Sequence, residues 1–290
     1  MEDELRKLVL KPAALLLMAA GSLMIPAAAL AGCPDDAAVK AMATDILAGK
    51  PTSPPDVATI EDGLCAQKKL VTLLEQRWGK PIGYKAGLTS KPAQDTFKVN
   101  EPVRGVLLAD MMLKSGAKVP AKYGALPRYE ADMVVVVGSA DINAATTPKE
   151  VLKHLASVRP FIELPDLVVD SPAKLNGASI TGINVGARFG VLGDAIPVQQ
   201  TDAFLAALAE MNVRITDQTG QQLVAAPGAA ILGHPLNAVL WLRKSGITFK
   251  PGDVLSLGSF GPPLVPKAGM TATMTYVGFP GNPSISVTFE

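Results

Sequence analysis

Helical periodicity opens the pattern of apolar and polar positions once the first three dozen residues are past. Residues 35–49 (DDAAVKAMATDILAG) have acidic residues where a first helical turn would lie and end on glycine, which predicts a short helix. In TIEDGLCAQKKLVTLLEQRWG, Leu70, Leu73, Leu74 and Trp78 recur at the spacing of one helical face. Thr59 and Asp62 stand at capping-box separation at its start, so a second helix is predicted there. After Lys80 the texture changes. Short apolar runs such as PIGYKAGL, RGVLLADMML, ITGINVGARFGVLG and DVLSLGSFGPPLVP alternate with glycine and proline and read as strands and turns. VRITDQTGQQLV reads as a hairpin turning at Asp217–Gly220. Helical stretches interrupt the strands at PKEVLKHLASV, around 201–210 and at LNAVLWLRKSG. Strands dominate without regular βα alternation, so the fold class is α+β with a mixed or curled sheet, not a doubly wound fold.

One run joins this patterning to chemistry. In PRYEADMVVVV (127–137), side chains two apart share a strand face, so Arg128, Glu130 and Asp132 form one polar row. Tyr129, Ala131 and Met133 form the apolar row, and from Val134 both faces are apolar. Such a row suits either a solvated edge or a metal site with buried walls.

With 290 residues and a net charge of +1, the chain shows no basic stripe, and its few aromatics are scattered. Nucleic-acid binding is therefore not indicated. Arg6, Lys7 and Lys11 precede PAALLLMAAGSLMIPAAALAG, a positive region, an apolar region and an A-x-A exit. These are the parts of a signal peptide over residues 1–31, and they predict bacterial export to the periplasm or beyond. Both cysteines follow the cleavage point. Cys33 and Cys65 fit a disulfide in an oxidising compartment, while LAGC also fits a lipobox, with Cys33 lipidated and the membrane as partner. Residues 32–80 read as a helical region and 81–290 as a strand-rich domain.

Glu163, in RPFIELPD, is the next acidic residue in apolar surroundings. Glu130, Asp132 and Glu163 together would make an all-oxygen set suited to Mg²⁺ or Mn²⁺. Lys85, in GYKAGLTS, either stabilises negative charge on a substrate oxygen or snorkels to the surface. His154 sits in an ordinary helical stretch, and His234 precedes Pro235 at a helix start, where a capping role is expected. No G-x-S-x-G, zinc-ligand spacing or phosphate loop occurs.

GYKAGLTS, RGVLLADMM, PRYEADMVVVV, FIELPD, LGHPLNAVLWL and PGDVLSLGSFGP occur in the order found in 2-oxopent-4-enoate hydratases and 4-oxalocrotonate decarboxylases. Over most of residues 81–290 the chain therefore resembles this branch of the fumarylacetoacetate hydrolase superfamily. The resemblance implies a curled mixed β-sheet roll flanked by helices, and a homo-oligomer. It also implies Mg²⁺ or Mn²⁺ held by Glu130, Asp132 and Glu163, with Lys85 as the catalytic lysine. The activity it implies is hydration of a 2-hydroxydienoic or 2-oxo acid, with decarboxylation or acid binding without turnover as alternatives. The chain departs from the family pattern at several places. Asp132 replaces a glutamate, and Val103 and Arg104 stand in PVRG where P-D-F-G is usual. Ile183 replaces an aspartate beside a retained Asn184, and Leu257 replaces a threonine. On this reading Arg104 and Asn184 are candidate substrate-binding residues, with Arg104 suited to bidentate pairing with a carboxylate.

Overall fold

Both N-terminal helices form where their caps and periodicity place them. The computed structural model describes residues 32–290. Helix α1 (Asp36–Leu47) is capped by the Asp35 carboxylate, which accepts the Ala38 N–H, and α2 (Ile60–Trp78) starts with the reciprocal Thr59/Asp62 capping box. Cys33 and Cys65 are disulfide-bonded with Cα atoms 5.6 Å apart, which pins the segment before α1 to α2. A sulfur in a disulfide cannot also carry a lipid thioether, so of the two readings of Cys33 the structure takes the disulfide. The predicted signal peptide lies outside the described residues.

The remaining helices are α3 (Lys91–Thr96), α4 (Pro148–Lys153), α5 (Gly177–Gly182), α6 (Asp202–Glu210) and α7 (Leu236–Lys244). The first sheet contains β1 (Pro81–Gly87), β2 (Val103–Leu108), β3 (Met112–Lys114), β5 (Glu130–Val137), β6 (Leu155–Leu164), β7 (Phe189–Leu192), β8 (Ile196–Pro197) and β11 (Val254–Ser256). Its order is β2-β1-β11-β5-β6-β7-β3, with β8 added to β6; β1/β11 and β3/β7 are parallel and the other pairs antiparallel. The second sheet comprises β4 (Ala117–Val119), β9 (Asn212–Thr216), β10 (Gln222–Pro227), β12 (Met270–Val277) and β13 (Ser284–Phe289), in the order β10-β9-β12-β13-β4.

The fold is thus the expected α+β arrangement with a mixed, curled sheet. The main core lies between the sheets, where Met133, Val135 and Ile162 of the first belong to one cluster with Met274, Tyr276 and Phe289 of the second. A second core joins α1 and α2 to the strands: Met42, Leu70, Leu74 and Trp78 cluster with Leu108 and Met111. The described helices at 32–80 belong to one compact unit with everything after them. Among the described residues, no helix is long and apolar enough to cross a membrane.

Two local expectations are corrected. The helix expected over PKEVLKHLASV stops at Lys153, because LASV belongs to the ten-residue strand β6. ITGINVG, expected as a strand, forms α5 and a left-handed turn before β7. There Asn176 and Ser179 form a reciprocal cap that turns the chain into a helix.

Candidate active site

Strands β5 and β6 set the geometry. Glu130 pairs directly with Glu163 across them, which places the two carboxylates side by side on one face. Lys85 arrives from β1, and its ammonium donates to Glu163 and, at 3.1 Å, to the carbonyl of Val185. Lys85 and Glu163 are 3% and 4% exposed, so this ion pair is shielded from water. All three charged groups line one cavity of about 580 Å³, within the size range of small-molecule sites. Its other walls are largely apolar, including Leu88, Phe97, Leu167, Ile180 and Phe260.

Asp132 continues the row predicted from the sequence but is fully buried and does not line the cavity. One of its oxygens accepts the Ser256 hydroxyl at 2.5 Å, and the other accepts the N–H groups of Met133 and Gly258 at 2.5 and 3.0 Å. Gly258 has φ +106°, and a Cβ there would lie 2.3 Å from the Thr89 hydroxyl. Only glycine brings this N–H to Asp132. Among the described residues, no three acidic, histidine or cysteine side chains already enclose a point in space. Glu130 and Glu163 face the cavity, and Asp132 stands behind them.

The electrostatics follow from three carboxylates gathered around one buried ammonium. Burial, and then the charge of Glu163, raise the Glu130 carboxyl to about 7, with Lys85 and Ser259 pulling the other way. The same two causes push Asp132 well above the usual carboxylate range, against the hydrogen bonds from Ser256 and Met133 and the charge of Lys85.

Asn184, Val185 and Gly186 all have positive φ, at 55°, 54° and 64°. For a β-branched valine this conformation is strained, at a cost of order 1–3 kcal/mol. The turn aims the Val185 carbonyl at Lys85. Asn184 locks it: its amide oxygen accepts the Val106 N–H at 2.8 Å and its NH₂ donates to the Val106 carbonyl at 2.9 Å. Asn184, expected from the sequence as a substrate-binding residue, has its side chain committed at both ends to β2 and stands outside the cavity lining.

Arg104, the other expected substrate-binding residue, is not brought to the Lys85 cavity. It pairs with Ala86, whereas Lys85 pairs with Gly105, so Arg104 projects to the opposite face of the β1–β2 ladder and lines a different cavity. Arg128, the first member of the polar row, lines the Lys85 cavity, and its guanidinium donates to the Pro127 carbonyl at 2.8 Å. Its place two residues before Glu130 was the available signal. Ser259 carried none, since nothing in SLGSFG marks a residue that approaches Glu130. His234 is the cap expected: Nδ1 accepts the Leu236 N–H and Nε2 meets the Leu205 carbonyl, each at 3.1 Å.

No family model matches the chain. Individual relatives do. Over 216 residues it is 32% identical to a 2-hydroxyhexa-2,4-dienoate hydratase of Comamonas testosteroni, covering 72% of this chain and 79% of that one. It is also 32% identical to a 2-keto-4-pentenoate hydratase of Burkholderia vietnamiensis, covering 66% of this chain and 72% of its relative. The chain belongs to the 2-keto-4-pentenoate hydratase family. A solved 4-oxalocrotonate decarboxylase from Pseudomonas putida G7, complexed with magnesium and adipate, matches this family member's fold with a TM-score of 0.76. The identity is 22%, over 88% of this chain and 97% of the decarboxylase.

Proposed function

We propose that the Lys85 cavity binds a 2-hydroxydienoic or 2-oxo acid and hydrates its conjugated alkene, with Mg²⁺ or Mn²⁺ as cofactor. One observation carries this reading: a buried ammonium and two adjacent carboxylates face a largely apolar cavity of about 580 Å³. The donor set fits a hard dication. It is all oxygen, and the carboxylates outnumber the buried ammonium, so their mutual repulsion is what a divalent ion would relieve. Glu130 and Glu163 would hold the ion directly. Asp132, engaged by Ser256 and Gly258, would support them from behind. When bound, such an ion supplies an electrostatic sink for negative charge on the substrate oxygens.

The chain's own residues account for the rest. Arg128 is the guanidinium positioned to pair with a substrate carboxylate. Lys85 stabilises the charge that develops on the 2-oxygen as the dienol gives up its proton and the far end of the diene gains one. The apolar walls keep bulk water from the enolate, leaving one water to add to the alkene. Because Val103, Ile183 and Leu257 are buried apolar residues, proton traffic is confined to the groups that line the cavity, chiefly Lys85 and Glu130. The same three positions favour a second reading, in which the site binds the acid without turning it over.

A turnover assay separates the readings. With 2-hydroxypenta-2,4-dienoate and Mg²⁺, loss of the diene absorbance is expected, and Lys85→Met lowers kcat roughly 10²–10³-fold, the scale of losing one oxyanion donor. Binding of the acid by calorimetry with no loss of absorbance would establish the binding-only reading. The hydrophobic leader and the Cys33–Cys65 disulfide support export, and the family resemblance supports a homo-oligomer.

A further inference from the structure

A second cavity, of about 680 Å³, lies where α2, the segment leading into β2, α5 and the end of α7 meet. Arg104, Trp241, Lys244, Ile60, Leu64 and Val99 supply its cationic, aromatic and apolar lining. Arg104 is half-buried, yet among the described residues its guanidinium has no ion pair and no hydrogen bond. Burial draws its pKa down, and the only opposing influence is the Tyr84 phenol, not a carboxylate. Two acids, Glu61 and Glu101, also line the space, but both are exposed, and Glu101 accepts the Trp241 indole N–H at 3.3 Å. The floor is held firm. The Gln67 side-chain amide donates to the Arg104 carbonyl at 2.7 Å and to the Thr181 carbonyl at 3.0 Å, tying β2 and α5 to α2.

A guanidinium presents a planar fork that matches a carboxylate, and the fork of Arg104 is left without a protein acceptor among the described residues at this cavity. Beside it, Trp241 is only partly covered and offers an aromatic surface, and Ile60, Leu64 and Val99 add apolar lining. We propose that this cavity is a second binding site, for an aromatic monocarboxylate whose carboxylate pairs with Arg104 and whose ring packs on Trp241. It is distinct from the Lys85 cavity. Lys85 and Arg104 occupy adjacent positions of one strand ladder and point to opposite faces, so the two ligands would be separated by the β1–β2 layer and by α5, whose Ile180 lines one cavity and Thr181 the other.

Benzoate serves as the probe, titrated into the mature full-length chain by calorimetry and by tryptophan fluorescence. Saturable binding is expected, and Arg104→Ala should weaken it at least about tenfold, as expected when a charge-assisted pair is lost. Arg104→Lys should give an intermediate affinity, because a lysine keeps the charge without the fork. Trp241→Phe should abolish most of the fluorescence response, since the other tryptophan, Trp78, is buried in the α2 core. Arg128→Ala, in the other cavity, should leave benzoate affinity unchanged. Absence of binding to the wild type would overturn the proposal, and so would an affinity that follows Arg128 instead of Arg104. Should Arg104→Ala fail to fold, the Arg104→Lys affinity and the Trp241→Phe response decide the matter.

Discussion

Replacing Lys85 with methionine removes an ammonium and leaves a side chain of similar length, so its cost measures charge and little packing. Glu163 is 4% exposed, and without Lys85 its carboxylate would stand uncompensated beside Glu130 and near Asp132. Breaking a buried pair in this direction costs about 3–5 kcal/mol. The reverse substitution is not symmetrical. Glu163→Gln leaves Lys85 with the Val185 carbonyl and beside Glu130, and it removes the charge that helps raise Glu130 and Asp132. Its cost should be about 1 kcal/mol, on the scale of one hydrogen bond. The double variant has no stranded Glu163 charge, so its loss should fall short of the sum by about 2–3 kcal/mol. Urea unfolding at neutral pH with a chelator present, on all four proteins, measures the cycle. Additivity within about 0.5 kcal/mol would refute the reasoning, as would equal costs for the two single variants.

Other outcomes follow from the same site. Glu130 is raised in the folded state to about 7, so the folded chain binds a proton that the unfolded chain releases at lower pH. Metal-free protein should therefore lose stability as pH rises from the ordinary glutamate range to about 7, with Asp132 adding in the same sense. Denaturation midpoints across that window should fall for the wild type and flatten for Glu130→Gln, and Mg²⁺ should restore the loss at neutral pH. Arg128→Ala should raise KM for the dienoic acid by about tenfold or more while changing kcat less, as for a residue that binds substrate and transition state alike. Equal losses in kcat and kcat/KM would instead place Arg128 in the chemical step. Mass spectrometry of native-source protein should find a chain starting near Gly32 with no thiol available to alkylation. An intact Met1 would refute export.

Much of this architecture was legible because it depends on local rules. The capping box at Thr59, the α2 face and the valine run each announce one backbone state, and β5 carries Glu130 and Asp132 as a period of two demands. What stayed hidden depends on the path of the chain around these elements. Arg104 and Lys85 both read as site residues, but pairing register alone sends them to opposite faces. Asn184 looked available to substrate because nothing local shows that Val106, far away in sequence, takes both ends of its amide. LASV failed as a helix because it continues into RPFIEL, where long-range pairing with β5 outweighs helical spacing. Asp132 shows the limit most clearly. Its face was right, but a single residue such as Ser256 decides whether its oxygens look into a cavity or into the protein.

The left-handed turn at 184–186 also sets an order of events on heating. Its strain is supported from outside, by the Asn184 clamp on β2 and by the close approach of Gly186 to the Asp166 carbonyl, and not by any regular ladder of its own. A segment so held should open at a lower free energy than the paired strands of the roll. When it opens, Lys85 loses the Val185 carbonyl and the wall beside Gly87 goes with it. Warming should thus melt the site before the scaffold: ligand affinity fades over a range in which circular dichroism still reports an intact fold, and cooling restores it without any refolding of the sheets.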